Sequence, residues 1–153
     1  MRKFEAEAEI ARSTGEVWTY AADILRHPEW MAVSDARVFE GDGSQVGARG
    51  VERQEVGPLR VAIAFEVTDA DPGRRLTWHS TDTRFDFDVT LDLEPVGQAA
   101  CRARYTATIE THGVWRLLGP FIALEGDSGV RKELARLKER VEGAADPVVV
   151  AAP

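Results

Sequence analysis

Residues 84–110 read RFDFDVTLDLEPVGQAACRARYTATIE. From Arg84 to Glu94 the residues Phe85, Phe87, Val89, Leu91 and Leu93 fall on one side, and Asp86, Asp88, Thr90 and Asp92 on the other. A period of two with one apolar and one acidic face is the pattern of a strand buried on a single side. Pro95-Val96-Gly97 turns the chain. Ala99 to Glu110 then repeats the period, with Cys101, Ala103, Tyr105, Ala107 and Ile109 on the apolar side. Two long alternating runs around a short turn predict an antiparallel hairpin.

The same period recurs upstream. Phe4 to Ile10 alternates apolar residues with Glu5, Glu7 and Glu9, so its outer face is acidic. Val33 to Glu40, Gly47 to Val56, Leu59 to Thr68 and Leu76 to Ser80 read as further strands. They are separated at Gly41-Asp42-Gly43-Ser44, at Gly57-Pro58 and at Asp69-Ala70-Asp71-Pro72-Gly73. Between the first two strands, Ser13-Thr14-Gly15-Glu16 places a hydroxyl three residues before a Glu, the capping box that satisfies free N–H groups at a helix start. A helix to about Asp23 follows, burying Val17, Trp18, Ala21 and Ile24. Leu25 to Trp30 predicts a second short helix, with Pro28 early in it and Trp30 as its anchor.

Downstream the period changes. Leu117, Leu118, Phe121, Ile122 and Leu124 fit helical spacing from Trp115 onward, and Val130, Leu134, Leu137 and Val141 continue it. Gly119-Pro120 and Gly126-Asp127-Ser128-Gly129 are weak points where this helix starts late, kinks or breaks. Gly143 is placed as its C-cap, residues 1–143 as one domain and 144–153 as a C-terminal tail. The element order predicts an α+β domain, with an antiparallel sheet, two short helices after the first strand and a long C-terminal helix.

Composition narrows the function. The 153 residues and 44% hydrophobic content suit one globular domain. A formal charge of −7 makes the average surface repel phosphate, which argues against nucleic-acid binding. The longest apolar run, Val114 to Leu124, is too short for a membrane span and contains Arg116, so no stable membrane insertion is expected. The start of the chain lacks the apolar core of a secretory signal, and a cytoplasmic location is predicted. A single cysteine, Cys101, excludes an internal disulfide and any multi-cysteine metal site; its place in an alternating run makes it a core residue.

Several segments together resemble the START-like (SRPBCC) superfamily. They are Phe4 to Ile10, Gly15-Glu16-Val17-Trp18, Pro28-Glu29-Trp30, Val46-Gly47-Ala48-Arg49, Asp71-Pro72-Gly73-Arg74-Arg75-Leu76 and Glu133-Leu134-Ala135-Arg136-Leu137-Lys138. The likeness is to the polyketide cyclase/dehydrase and lipid-transport branch and spans about Phe4 to Glu142. It implies a helix-grip fold, in which a curved antiparallel sheet wraps around the C-terminal helix and leaves a cavity between them. On that resemblance the ligand-binding residues are expected among Trp30, Phe39, Val61, Ile63, Phe65, Trp78 and Phe85. Phe87, Val89, Tyr105, Trp115, Leu118 and Phe121 complete the set. Taken singly, each of these reads first as a core residue.

Polar groups able to face such a cavity decide the chemistry. Tyr105 has Ala103 and Ala107 beside it, leaving room around its phenol, and a buried hydroxyl needs a partner. Glu125 follows the apolar part of the last helix, where burial would raise a carboxyl pKa. On the third strand either Arg49 and Arg53 or Glu52 and Gln54 point inward, according to register. Tyr105, Glu125 and Arg53 are thus the candidate catalytic residues. No metal, nucleotide or other cofactor is expected. His27 and Glu29 read as surface, His79 lies opposite Trp78, His112 sits near the last helix, and no pair has ligand spacing. Asp86, Asp88 and Asp92 read as a solvated strand face. Gly126-Asp127-Ser128-Gly129 matches the short signature around a serine-protease nucleophile, but it lies in a helix of a chain too short for that scaffold.

Three functions follow. The first is binding, transport or sequestration of a small hydrophobic molecule, a lipid or a polyketide-like aromatic. The second is a polyketide cyclase/aromatase-type enzyme using the same cavity. The third is a co-chaperone-like interaction module using the exposed sheet edge and amphipathic helix. Oligomeric state stays open, a homodimer included. Polar side chains converging inside a cavity favour the enzyme, an apolar cavity the carrier, and a filled interior neither.

Overall fold

The computed structural model describes residues 2–56 and 58–144. Strand β1 (Arg2–Ile10) leads into α1 (Thr14–Ala22), a 3-10 turn (Ile24–Arg26) and α2 (His27–Trp30). Six strands follow: β2 (Val33–Glu40), β3 (Arg49–Val56), β4 (Leu59–Asp71), β5 (Arg75–Ser80), β6 (Phe85–Val96) and β7 (Ala100–Thr111). A 3-10 segment (Gly113–Leu118) then delivers the chain to α3 (Gly119–Ala144). Of the predicted tail 144–153, Ala144 still belongs to α3, while residues 145–153, and Gly57 of the predicted Gly57-Pro58 break, lie outside the described residues.

All seven strands join one antiparallel sheet in the order β1-β7-β6-β5-β4-β3-β2. The β6–β7 hairpin spans residues 85–111, with Phe85 opposite Thr111 and Val96 opposite Ala100 at its two ends. The crossover from β1 to β2, carried by α1 and α2, spans the sheet from one edge to the other. The predicted capping box is formed: the Ser13 hydroxyl accepts from the Glu16 N–H, and the Glu16 carboxylate accepts from the Ser13 N–H. The outer faces are charged as the alternation requires, and Arg104 bridges Glu5 and Glu7 across β1 and β7.

α3 lies against the inner face and packs closely on β1. Its buried stripe is Val130, Leu134, Leu137 and Val141. No break occurs at Gly126-Asp127-Ser128-Gly129; the helix runs through it for 26 residues in all. Phe4 explains Gly126, because a Cβ there would enter the Phe4 ring. The Ser128 hydroxyl donates to the Glu125 carbonyl at 3.1 Å inside the helix, so the tetrapeptide holds no exposed nucleophilic turn. Two interior glycines cost the helix about 1 kcal/mol each, and burial of the four-residue stripe outweighs it.

Two buried clusters fill the grip. The larger joins α1, α2 and the later part of α3 to β1 and β7, with Trp30, Phe65, Trp78 and Tyr105 at its heart. The smaller, Val61, Ile63, Phe85, Phe87 and Leu118, lies under the 3-10 segment. The β2–β3 loop folds back on the end of α1. There Gly43 has φ +98°, and a Cβ would meet the Ala22 carbonyl oxygen and Ile24 Cγ1, the latter at 2.9 Å.

Three sequence expectations about side-chain direction fail. Phe39 is 67% exposed, because register shifts between Val33 and Asp35 and between Val38 and Glu40 change the phase of edge strand β2. Phe121 is exposed, as are Leu117 and Leu124, since the inward side of early α3 is taken by Ile122 and the glycines. His27, read as surface, is fully buried.

Candidate functional site

Between the two clusters lies a cavity of about 240 Å³, bounded by residues of both. Ile63, Phe65, Trp78, Phe85, Phe87 and Val89 form the sheet wall, with Tyr105, Ala107 and Ile109 from β7. The helix contributes Ile122, Glu125, Gly126, Gly129, Val130 and Glu133. Phe4, His27, Met31 and Glu52 also line it. Of the thirteen residues expected to bind ligand, Ile63, Phe65, Trp78, Phe85, Phe87, Val89 and Tyr105 line this space. Trp30, Val61 and Leu118 are buried beside it in the core. Trp115 packs on Phe85 with ring centroids 5.2 Å apart, and Phe39 and Phe121 point away.

The register of β3 settles the open question about its inner face. Glu52 pairs with Ile63 and Gln54 with Val61, so Glu52 and Gln54 point inward, while Arg49 and Arg53 are exposed. Arg53 is therefore removed as a candidate, because a one-residue phase difference sends its side chain to solvent. Glu125 reaches the cavity rim but is an exposed residue. The enclosed carboxyl group on α3 is instead Glu133, two helical turns further on. The sequence held a signal for it: Glu133 lies three residues after Val130 and one before Leu134, at the edge of the buried stripe.

Polar side chains converge at this end. The Tyr105 hydroxyl donates to Glu133 Oε1 at 3.2 Å, and the Ala32 N–H donates to Glu133 Oε2 at 2.6 Å. His27 Nδ1 meets Glu52 Oε1, and Gln54 Nε2 donates to Glu52 Oε2 at 3.4 Å. His27 Nε2 faces the Ala21 carbonyl at 3.2 Å, so that nitrogen is a donor. Around the imidazole stand Trp78, Trp30 and Phe65, at centroid distances of 5.2, 5.8 and 6.1 Å. Burial of a hydrogen-bonded pair among aromatic rings is the reason a histidine beside Pro28 is not on the surface.

Electrostatics follow from the enclosure. Burial raises the Glu133 carboxyl pKa, against the lowering effect of the Ala32 N–H, the Tyr105 hydroxyl and Arg136. The residue's stem is partly exposed, but its carboxyl oxygens turn inward to these donors. Burial also pushes the Tyr105 phenol well above its ordinary value, and the neighbouring Glu133 charge adds to this. Tyr105 is accordingly a neutral hydrogen-bond donor at physiological pH. Trp78 Nε1 and Trp30 Nε1 are buried without a partner, and Trp78 is part of the cavity wall. The Cys101 thiol is buried, and its pKa is raised by that burial, as suits a core residue.

The raised Glu133 pKa has a testable consequence. Between the ordinary value near 4.5 and the raised one, the folded protein retains a proton that the unfolded chain has released. Stability relative to Glu133→Gln should therefore fall as pH rises through that window and be level on either side. Thermal melts of both proteins across the acidic and neutral range measure it. A difference curve that is flat, or that rises with pH, would contradict the enclosed carboxyl.

Sequence and structure comparisons set this geometry beside known proteins. A family model described as polyketide cyclase/dehydrase and lipid transport matches residues 1–142. A search of curated proteins found no match. Among solved structures, TTHA0849 from Thermus thermophilus is similar at 22% identity, with 94% of this chain and 99% of that one covered and a TM-score of 0.77. The Zhui aromatase/cyclase from Streptomyces sp. R1128 superposes with a TM-score of 0.72 at 13% identity, over 92% of this chain and 95% of its own. A START superfamily protein from Mycobacterium smegmatis gives a TM-score of 0.69 at 15% identity, over 93% of this chain and 98% of its own. At such identities these structures speak to the fold: the helix-grip arrangement of curved sheet and long C-terminal helix. No helix among the described residues is long and apolar enough to cross a membrane.

Proposed function

Because the chain belongs to the polyketide cyclase/dehydrase and lipid-transport family, we propose that it holds a small, largely apolar molecule between its sheet and α3. One observation carries the reading: a cavity of about 240 Å³ walled mainly by Ile63, Phe65, Trp78, Phe85, Phe87 and Val89, with few polar groups beside them. The volume lies a little below the ~300–1,000 Å³ of typical small-molecule sites. A compound of one or two rings suits it better than a long acyl chain. Native mass spectrometry of the protein purified from its own host, with extraction of what co-purifies, tests the proposal. An apolar adduct is expected; no adduct, and no rise in melting temperature with any lipid or aromatic polyketide, would sink it.

Position 129 supplies a sharper check. Gly129 lines the cavity, and a Cβ there meets no atom within 4 Å. Gly129→Leu should fill the space, abolish adduct formation, and stabilise the free protein by about 1 kcal/mol through helix propensity alone. Loss of binding together with a gain in melting temperature separates a blocked cavity from a damaged fold.

The second reading is an enzyme that moves a proton on the bound molecule, and the Glu133–Tyr105 pair favours it. A carboxylate whose pKa is raised by enclosure is a better base than a solvated one, and the phenol beside it is a donor for a developing enolate oxygen. In that case Glu133→Gln keeps the guest but loses turnover. Undiminished turnover in the variant would remove Glu133 as the base, and no turnover by either protein would leave the carrier reading alone.

A further inference from the structure

The outer face of the sheet carries a second group of chemistry-bearing side chains, separate from the cavity. Asp86 on β6 stands directly opposite Glu110 on β7. His112, two residues after Glu110, continues the same outward face, and its backbone N–H donates to the Arg84 carbonyl at 3.0 Å. Ligand atoms of Asp86, Glu110 and His112 all lie within 4.8 Å of one another. From β5, His79 points to the same patch, with Nε2 at 4.0 Å from Asp86 Oδ1. Two of the three histidines, scattered in the sequence, line the same surface depression here.

Two features distinguish this patch from an ordinary acidic strand face. Like charges directly opposite each other on neighbouring strands repel, yet the Glu110 carboxylate and the His112 imidazole have no hydrogen-bond or ion-pair partner among the described residues. In addition, His79 Nδ1 is bonded to Asp88 Oδ1 at 2.8 Å. A carboxylate on one ring nitrogen fixes the tautomer that leaves the other nitrogen free to ligate, the arrangement that orients metal-bound histidines. Here it turns Nε2 toward Asp86.

We propose that Asp86, Glu110 and His112, with His79 as fourth ligand oriented by Asp88, form a surface site for a divalent transition-metal ion of the zinc type. Mixed imidazole and carboxylate donors select such ions over magnesium or calcium, which prefer oxygen alone. Bonds of about 2.0–2.1 Å place tetrahedral ligand atoms roughly 3.3–3.5 Å apart, and rotation of these partly exposed side chains closes the remaining gap. Bound there, the ion joins β5, β6 and β7 at one end of the sheet and neutralises the Asp86–Glu110 repulsion.

Zinc alone, titrated calorimetrically into the chelator-treated full chain, tests this. One equivalent is expected to bind. His112→Ala, His79→Ala and Glu110→Gln should each weaken binding at least tenfold, while Asp92→Asn, on the same face but paired with Arg75 at 2.7 Å, leaves it unchanged. Zinc should also shift the side-chain nitrogen resonances of His79 and His112 but not of buried His27, and a large excess of magnesium should not displace it. The proposal is overturned if no zinc binds, if His112→Ala binds as well as the parent, or if Asp92→Asn loses as much as His112→Ala. Without zinc binding, His79 is simply a hydrogen-bond partner of Asp88 that lies near Asp86.

Discussion

Replacing Glu52 with Met is expected to destabilise the protein by about 3–5 kcal/mol, because it strips one partner from a buried hydrogen-bonded pair and leaves the other enclosed. His27 is fully buried and Glu52 is 5% exposed, so solvent reaches neither to compensate. At this chain length the loss corresponds to a fall in melting temperature on the order of 10 °C. His27→Leu alone should cost a similar amount. The combined His27→Leu/Glu52→Met protein should recover most of the loss and lie within about 2 kcal/mol of the parent, since an apolar pair suits the rings of Trp30, Phe65 and Trp78. The residual deficit reflects the Ala21 carbonyl, which loses its donor. Urea unfolding of the four proteins gives the cycle. Additive losses would mean that the two residues do not act as a pair.

Gly43→Ala is expected to cost about 3–5 kcal/mol, the sum of a positive-φ penalty and an overpacked contact. The second part matters most, because one of the atoms in the way is the Ala22 carbonyl oxygen, and backbone at the end of α1 cannot step aside as a flexible side chain would. Gly47 provides the comparison within the same loop. Its φ is +95°, but an added Cβ meets nothing within 4 Å, so Gly47→Ala should show the conformational penalty alone, about 1–2 kcal/mol. Matching losses at the two positions, measured by chemical denaturation, would show that the loop does not pack on α1 as described.

The legible part of the fold was the part written in periodicity. Phe85 to Leu93, Cys101 to Ile109 and Val61 to Val67 alternate without interruption, and each is a strand with those residues on the inner side. Phe39 escaped because the bulges on β2 arise from pairing with β3, which local alternation does not encode. The unbroken α3 escaped for a related reason. Glycine propensity argues for a break, whereas burial of Val130, Leu134, Leu137 and Val141 carries the helix through, and Gly126 is there to clear the Phe4 ring arriving from the far end of the chain.

The candidate site was less legible than its walls. Tyr105 was found because Ala103 and Ala107 leave space around it. Glu52 was one of two register choices, and only pairing with Ile63 chose between them. His27 looked like a surface residue beside Pro28, since nothing local shows that Glu52, 25 positions later, supplies its partner. Glu125 directly follows the apolar run, but helical phase relative to Val130 puts Glu133 at the edge of the buried stripe. Polar groups that depend on long-range pairing are the ones a single sequence conceals.

The paired glycines of α3 give the protein an evolutionary handle. They make the capacity of the chamber a property of the helix, with the strands left untouched. Position 126 is locked by Phe4, but position 129 opens on empty space, so one codon change there can exclude a bulky guest without disturbing a single strand register. The helix tolerates a propensity deficit of about 2 kcal/mol to keep both positions bare. On the proposed function, the share of that deficit at position 129 is a trade of stability for guest space, and it puts guest selectivity within reach of very few mutational steps.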